Sequence, residues 1–460
     1  MAVSRSPVKK VLFIAYYFPP INASGAFRSL GFCRYLGDYG WEPRVLAVDP
    51  KSVGSEFLVN TELCSQLPAA LRVTRIGYTD PSALIDRAWA CVRKIFPGKV
   101  MGSDVSSDQL KSNVRRGGSW PMQFLAESRS EIERLLSFPD PQRFWQYPAV
   151  RVGMKLMKEQ PPSIVFATGK PWSSFLVGRT LARRFSIPLV VDFRDPWTRN
   201  PYAQSVTPRW RAKAGRIEEE ICAGATRVVT TTPELREQFK NDYPGWADKF
   251  VTITNGFDDQ RDLGSQLAEQ CYSREASLEL CHFGTLYGQR DPMPLLLAVR
   301  ELVQQERINR SQLRINFIGD WLINDQTCNL LAQELEGRGL IRRVQPVARE
   351  TGLSLMRTAD ALLVIQPASP LQVPAKIYEY VASGRPMLVI GGEGATASLV
   401  EGYQLGHCYL NNVAALKALL SDLISGVTEL TPPQTKDTAC FHYRNLTAQL
   451  ANLFDSVLSE

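Results

Sequence analysis

The chain has 460 residues, of which 44% are hydrophobic and 22% are charged, which predicts a globular protein of roughly two to four domains. Its 53 basic and 46 acidic residues give a net charge of +7, a mild excess that suits a polyanionic substrate or an anionic membrane surface, and we expect no nucleic-acid partner. Nine cysteines without Cys-x-x-Cys spacing and only three histidines argue against a disulfide framework or a metal site and predict a cytoplasmic protein.

The first half of the chain alternates between short apolar runs and helical patterns. The run at residues 11–18 follows Lys9 and Lys10 as in a secretory signal, but it is short and ends at Pro19-Pro20, so we predict a first strand over residues 10–17. A helix over residues 26–39 and a strand over residues 43–48 follow. Later strands are predicted over residues 163–167, 188–193, 227–231 and 250–254, and helices over residues 173–185, 209–223 and 233–241.

Residues 52–145 lack this regularity and are predicted to form an irregular insertion with a Ser-rich loop over residues 102–119. Within the insertion, residues 84–96 place Trp89, Ile95 and Phe96 among basic side chains. This stripe either packs on its own domain or lies on an anionic bilayer, so a peripheral contact with the inner face of a membrane stays an open alternative. No apolar run reaches the ~20 residues that span a bilayer.

The second half of the chain repeats the strand–helix alternation after a polar linker over residues 258–277. Strands are predicted over residues 278–283, 313–318, 343–347, 361–365 and 387–390, and helices over residues 292–304, 324–338, 353–358 and between Pro374 and Gly384. Such alternation predicts an α/β protein with two Rossmann-like domains and parallel sheets. We assign residues 1–257 and 258–436 to these domains and residues 437–460 to a C-terminal helix, for which packing on the first domain is one arrangement.

The segment from Pro374 to Leu388 is the most informative part of the sequence. It predicts a helix that begins just beyond the carboxyl end of a strand, a position where anionic ligands bind in α/β sheets. Lys376 adds a cation on the first turn and Glu379 shares its helical face. A cation and a carboxylate at this spacing suit a ligand with phosphates and hydroxyls, such as a nucleotide sugar. The alternative is a solvent-exposed ion pair between Lys376 and Glu379.

A second candidate segment follows the strand over residues 278–283. Gly284 and Gly288 would let a phosphate approach the backbone, and the Arg290 guanidinium offers donors suited to a diphosphate. The alternative is an ordinary glycine turn with an exposed arginine. His282 precedes this loop on the strand, where a hydrogen-bonded core histidine is expected.

Polar residues also follow strands in the first half. Gly25 opens the first helix and would let backbone approach a ligand, while Arg28 could complement an anion. The alternative is a rigid proline turn in which Gly25 is needed for its backbone dihedral angles. At the end of a later strand, Arg194 and Asp195 either line a cleft or form an internal network with each other. Asn255 marks either a turn or a cleft position at the crossing between the domains.

These segments together resemble the retaining GT-B glycosyltransferases of the large family-four type, especially bacterial polysaccharide and lipopolysaccharide enzymes. The resemblance runs nearly end to end. It rests on Pro19-Pro20 with Gly25 and Arg28; Val191-Asp-Phe-Arg-Asp-Pro-Trp197; Thr254-Asn-Gly-Phe-Asp258; His282-Phe-Gly-Thr-Leu-Tyr287 with Arg290; and Pro374-Ala-Lys-Ile-Tyr-Glu-Tyr380 with Gly384-Arg-Pro386.

The resemblance implies a GT-B fold, with two Rossmann-like domains facing each other across a cleft. It implies transfer of a sugar from a UDP- or GDP-linked donor to a glycan or lipid-linked acceptor, with retention of configuration and without a metal or cofactor, in cell-surface polysaccharide synthesis. Arg290 and Lys376 would stabilise the leaving diphosphate. The implied donor-binding residues are Glu379 (on the ribose hydroxyls), Gly284, Thr285, Tyr378 and Gly25, and the acceptor or cleft residues are Arg28, Arg194, Asp195 and Asn255.

The chain departs from the family pattern at three positions. Leu371 stands where the family has the first of two glutamates, Ser24 replaces one glycine of the first loop, and Thr285 occurs where the family often has arginine. The change at Leu371 leaves the group that contacts the sugar undetermined. It also makes a non-catalytic glycan- or nucleotide-binding relative one alternative function. The other alternative is a nucleotide-sugar epimerase on the same two-domain fold.

Overall fold

The computed structural model describes residues 8–54, 59–79, 135–200, 207–258, 278–366, 369–433 and 438–460. Three sequence predictions fall elsewhere. The Ser-rich loop over residues 102–119, the amphipathic stripe over residues 84–96 and all but the first residue of the linker over residues 258–277 lie outside the described residues.

The first sheet has seven strands in the order β3-β2-β1-β4-β5-β6-β7. They are β1 (Lys9–Ile14), β2 (Trp41–Val48), β3 (Arg72–Ile76), β4 (Ile164–Gly169), β5 (Leu189–Phe193), β6 (Arg227–Thr230) and β7 (Phe250–Thr252). Strand β1 pairs in parallel with β2 and β4, as do β2 with β3 and β6 with β7. The strand order reverses between β1 and β4, as in doubly wound folds. The helices in this part of the chain are α1 (Ser24–Tyr35), α2 (Glu62–Ser65), α3 (Gln146–Glu159), α4 (Ser173–Phe185), α5 (Pro208–Gly224) and α6 (Pro233–Asp242).

The second sheet has six strands in the order β12-β10-β8-β13-β14-β15, all paired in parallel. The strands of this region are β8 (Leu278–Phe283), β9 (Leu286–Tyr287), β10 (Leu313–Ile318), β11 (Trp321–Leu322), β12 (Ile341–Val344), β13 (Ala361–Gln366), β14 (Met387–Gly391) and β15 (Gly406–Tyr409). Strands β9 and β11 form a separate two-stranded sheet. The helices are α7 (Met293–Gln304), α8 (Gln326–Gly337), α9 (Arg349–Thr358), α10 (Lys376–Ser383), α11 (Ala395–Gly402), α12 (Val413–Ile424) and α13 (Tyr443–Ser459).

Strand β13 shows why the central strands of the second sheet are continuously apolar. All six of its residues are buried. Leu363 and Ile365 belong to the hydrophobic cluster that includes α7, α8 and α12. Leu362 and Val364 belong to a second cluster, which includes α9, α10 and α11. Because successive side chains point to opposite faces, both faces of the strand are covered and alternation with polar residues is lost.

The two sheets of parallel strands, with helices alternating between the strands along the chain, confirm the α/β fold predicted from the sequence. Helix α4 and strands β8 and β10 have the predicted bounds, and the other predicted elements differ by a few residues at their ends. The predicted irregular insertion also contains β3, and the sequence assigned no structure to α3, α11, β15 or α12. Strand β15 reads Gly-His-Cys-Tyr and none of its residues is fully buried, so this edge strand gives no apolar run to detect.

The described residues form two compact units. One comprises residues from Met1–Leu30, Gly40–Asp192 and Glu220–Thr226, and the other comprises residues from Gly31–Tyr39, Phe193–Glu219 and Arg227–Glu460. The domain boundary expected after residue 257 stays a prediction.

Replacing Gly178 with alanine tests the close packing of α4 on the first sheet. A Cβ at this glycine would lie 2.8 Å from Ala167 Cβ and 3.3 Å from Leu189 Cδ1. We expect Gly178→Ala to lower the free energy of unfolding by about 1–3 kcal/mol, because overpacking outweighs the gain in helix propensity. The measurement is urea denaturation of the full chain.

The matched control for this prediction is Gly215→Ala on α5, where a Cβ would meet no atom within 4 Å. This variant should be stabilised by roughly 0.5–1 kcal/mol, the intrinsic difference between glycine and alanine in a helix. Equal effects of the two substitutions would contradict the packing argument.

Candidate functional site

Lys376 lies at the carboxyl edge of the second sheet. Strands β8 and β13 are parallel neighbours, so their carboxyl ends meet at one edge, and α10 begins there with Lys376. The Lys376 Nζ lies 3.1 Å from His282 Nε2 and 3.1 Å from the Phe283 carbonyl oxygen, both at the end of β8. The cation predicted on the first turn is therefore directed at the strand end rather than into solvent.

His282 is a fully buried residue that uses both ring nitrogens. Its Nδ1 lies 3.1 Å from the Leu363 carbonyl oxygen of β13, and its Nε2 faces Lys376. Burial first, and then the charge of Lys376, lower the pKa of His282 well below its usual value. The prediction of a hydrogen-bonded core histidine is confirmed, and the imidazole is neutral.

Arg290 supplies the second cation at this edge. Its Nε donates to Gln366 Oε1 at the end of β13, at 3.1 Å, and its guanidinium carbon lies 4.9 Å from the centre of the Tyr287 ring. Burial first, and then the charge of Arg290, lower the pKa of Lys376 well below its usual value. Within the described residues, no carboxylate forms an ion pair with either cation. The edge thus presents two neighbouring basic side chains without a carboxylate partner from this part of the chain.

Two glycines shape the backbone beside these cations. Gly284 has a φ of +105° and Gly319 a φ of +135°, both in the region that favours glycine. A Cβ on Gly319 would come within 2.7 Å of the Gly284 carbonyl carbon, so the two strand ends touch through bare backbone. The Gly284 N–H already donates to the Ile318 carbonyl at 2.8 Å. Gly284 therefore gives a ligand close approach but no hydrogen-bond donor.

The N-terminus of α10 is less open than the sequence suggested. The Ile377 N–H donates to the Pro374 carbonyl at 3.0 Å, and the Tyr378 N–H donates to the Ala375 carbonyl at 3.2 Å. This tight first turn satisfies two of the amides that a helix start normally leaves unpaired. The charged side chains, rather than these two amides, are the groups left for an anion.

Glu379 is paired with an arginine that the sequence analysis did not identify. Arg349, at the start of α9, donates to Glu379 Oε1 from Nε at 3.1 Å and from a terminal nitrogen at 2.8 Å. The alternative of an exposed Lys376–Glu379 ion pair is wrong, because Lys376 turns to β8 and Glu379 turns to Arg349. Both contacts use Oε1, and no described residue engages Oε2.

Two of the predicted donor-binding residues, Thr285 and Tyr378, lie in different surroundings. Thr285 remains half-buried beside Gly284, with its hydroxyl 3.5 Å from Asp320 Oδ2. Tyr378 is fully buried in the core on α10, and its ring centre lies 5.4 Å from that of Phe441. The prediction that Tyr378 contacts a donor is corrected, because its helical position directs the ring into the core.

Arg28 is a structural residue of the first sheet. It is only 2% exposed and donates to Asp192 Oδ2 from Nε at 3.0 Å and to Oδ1 from a terminal nitrogen at 2.8 Å, while Thr168 donates to Asp192 Oδ2 at 2.7 Å. The prediction of Arg28 as an anion-binding cleft residue is corrected, because a buried carboxylate already neutralises it. Gly25 is buried in the first turn of α1 and has no positive φ. The alternative that a turn requires glycine here for its backbone dihedral angles is therefore wrong.

The remaining predicted residues lie on half-buried loop positions. Asp195 Oδ1 accepts a 2.7 Å hydrogen bond from the Gln372 side-chain amide. This partner of Asp195 is not Arg194, with which the alternative paired it. The Arg194 carbonyl accepts from the Thr231 hydroxyl at 3.0 Å. Asn255 is half-buried after β7. The Leu371 carbonyl, at the departure from the family pattern, accepts from the Thr232 hydroxyl at 2.8 Å.

Sequence reasoning missed Gln366 and Arg349. Gln366 is the polar last residue of an otherwise apolar strand, a signal that could have placed it at the edge of the sheet. Arg349 lies 30 residues before Glu379 in the chain, and no local pattern connects the two.

The comparisons with known proteins agree with this fold. Residues 109–256 match the glycosyl transferase 4-like domain family. HepE of Anabaena, solved in complex with UDP, is 15% identical, with a TM-score of 0.60 over 97% of this chain and all of that chain. A UDP-N-acetylglucosamine 2-epimerase from Methanocaldococcus jannaschii is 9% identical, with a TM-score of 0.53 over 97% of this chain and 99% of that chain. The fold is therefore GT-B.

One characterised relative is similar to part of the chain in sequence. A D-inositol 3-phosphate glycosyltransferase of Frankia alni is 24% identical over 241 residues, which are 50% of this chain and 58% of the relative. This chain thus aligns with little more than half of that protein. Together with the domain match, the chain is therefore similar over part of its length to glycosyl transferase 4-like proteins.

The described residues provide two further observations. None of their helices combines the length and apolar character of a bilayer crossing. No group of three or more His, Cys, Asp or Glu side chains among them is arranged to hold a metal ion.

Breaking the buried pair at Asp192 tests its structural role. We expect Asp192→Ala to lower the free energy of unfolding by about 3–5 kcal/mol, because it leaves the Arg28 guanidinium buried without its carboxylate. The double variant Arg28→Met/Asp192→Asn should lose less than the single variant, since no uncompensated charge remains. Chemical denaturation measures both, and a loss below about 1 kcal/mol for Asp192→Ala would contradict the assignment.

Proposed function

We propose that the chain is a glycosyltransferase that moves a sugar from a nucleoside diphosphate donor to a glycan or lipid-linked acceptor. The observation that carries the proposal is the pair of cations, Lys376 and Arg290, at the carboxyl edge of the second sheet without a carboxylate partner in the described residues. Two adjacent positive charges repel each other, and a diphosphate bound between them would remove this repulsion.

The same two side chains would serve the chemical step. When the bond between the sugar and the diphosphate breaks, negative charge grows on the leaving phosphate oxygens. Cations already held in place stabilise that charge more in the transition state than in the ground state. In the proposal they supply the charge for which other transferases use a divalent cation, and no cofactor takes part.

Glu379 would hold the other end of the nucleotide. Arg349 fixes its Oε1 through two hydrogen bonds, which leaves Oε2 to accept from ribose hydroxyls. In our proposal the departing phosphate takes the proton of the acceptor hydroxyl on the same face, and configuration at the sugar is retained. Support for the donor class comes from HepE, whose solved complexes contain UDP, and UDP with glucose.

Nucleotide binding tests the two cations. In a thermal-shift comparison of UDP, GDP and ADP, we expect one nucleotide to stabilise the unaltered protein by about 2.7 kcal/mol at a concentration of 100 times Kd. Lys376→Met and Arg290→Met should each weaken its binding by about 10–100-fold, the loss of one charge-assisted hydrogen bond. Lys158→Met on α3, an exposed lysine, is the matched control and should bind normally.

Turnover separates transfer from the other functions. With a labelled nucleotide sugar and an acceptor glycan, we expect the label to appear in the acceptor with retained anomeric configuration, as measured by NMR. The kcat of Arg290→Met should be lower than that of the unaltered protein by a factor of about 100 or more. Isomerised donor in the absence of acceptor would identify an epimerase instead. Nucleotide binding without either product would identify a binding protein.

A further inference from the structure

His282 is an unusual residue for the centre of a parallel sheet. Strand β8 lies between β10 and β13, and all six of its residues are buried. A buried polar ring is unfavourable unless each polar atom has a partner. His282 meets this condition through two different elements, the Leu363 carbonyl of β13 and the Lys376 ammonium of α10.

These two partners determine where the proton of the ring lies. A carbonyl oxygen only accepts, so Nδ1 carries the hydrogen; a lysine ammonium only donates, so Nε2 presents its lone pair. The charged groups that face the ring, Lys376 and Arg290, both disfavour an imidazolium. The ring therefore remains a hydrogen-bond acceptor for Lys376 throughout the neutral range.

We propose that His282 is a positioning residue, which fixes the Lys376 ammonium for a nucleoside diphosphate. The ammonium has three N–H donors, and His282 and the Phe283 carbonyl engage two of them. The third is left for a phosphate oxygen. The inference rests on the proposed function, because the diphosphate is its ligand.

Tyr380 keeps the end of β8 in place for the same contact. The Phe283 N–H donates to the Tyr380 hydroxyl at 2.8 Å, and burial raises the pKa of this hydroxyl. The carbonyl that receives Lys376 is thus attached to the helix that carries Lys376. A long flexible side chain held in this way loses less conformational freedom when the ligand binds, which strengthens binding.

A double-mutant cycle tests the inference, with UDP and GDP as probes and calorimetry on the full chain. His282→Phe keeps an aromatic ring but removes the acceptor, and we expect it to weaken binding about tenfold or more. His282→Gln, which places an amide oxygen near the Nε2 position, should stay within about threefold of the unaltered protein. In a Lys376→Met background, His282→Phe should change Kd by less than about twofold. Equal losses in both backgrounds would overturn the inference.

Nitrogen NMR of the imidazole supplies a readout without a ligand. Only three histidines occur in the chain, so histidine-selective labelling gives three imidazole signals, and the one missing in His282→Phe is that of His282. We expect a neutral ring protonated at Nδ1 that does not titrate between about pH 5 and pH 8, and an Nε2 resonance that shifts in Lys376→Met. A titrating ring, or an Nε2 unaffected by Lys376→Met, would overturn the inference. If the unaltered protein binds none of UDP, GDP and ADP, the proposed function fails, and the NMR result decides the His282–Lys376 contact separately.

Discussion

The hydrogen bonds from the Lys376 ammonium to His282 and to the Phe283 carbonyl are the interactions on which the rest of the site depends. A cation whose pKa is lowered by burial and by a neighbouring arginine needs acceptors close by, or the ammonium would turn to water or lose its proton. The sheet supplies both acceptors at the end of β8. These contacts hold the Lys376 nitrogen at the edge of the sheet, where no carboxylate of the described residues pairs with it.

The parallel topology explains why several polar groups meet at this point. Strands β8, β10 and β13 are neighbours that run in one direction, so Phe283, Gly319 and Gln366 come together although they are far apart in the chain. Glycine at 284 and 319 allows contact between the strand ends that side chains would block. Arg290 reaches the same edge by its hydrogen bond to Gln366.

Two arginines of the chain show how differently the fold uses the same side chain. Arg28 is neutralised by Asp192 in the first sheet, and this pair holds elements together without leaving charge for a ligand. Arg290 bonds only neutral partners among the described residues and keeps its full charge. Both follow glycine-containing loops in the sequence, and the difference lies in which partner the tertiary structure provides.

The sequence by itself determined the alternation of strands and helices, because each central strand must be apolar on two covered faces and each helix carries its own start and stop residues. It also determined that Lys376, Glu379, Gly284 and Arg290 stand at strand ends or helix starts, since these positions follow from local patterns. Edge elements such as β15 escaped detection, because a strand that is not buried has no apolar run.

Only the tertiary structure decided how those residues are paired. Lys376 bonds His282 from 94 residues away, and Arg349 holds Glu379 from 30 residues away. The predicted site residues Tyr378 and Arg28 proved to be buried packing and a buried ion pair. The physical reason is that periodicity describes the faces of one element, whereas a side chain's partner and its charge depend on which other strand or helix the fold places beside it.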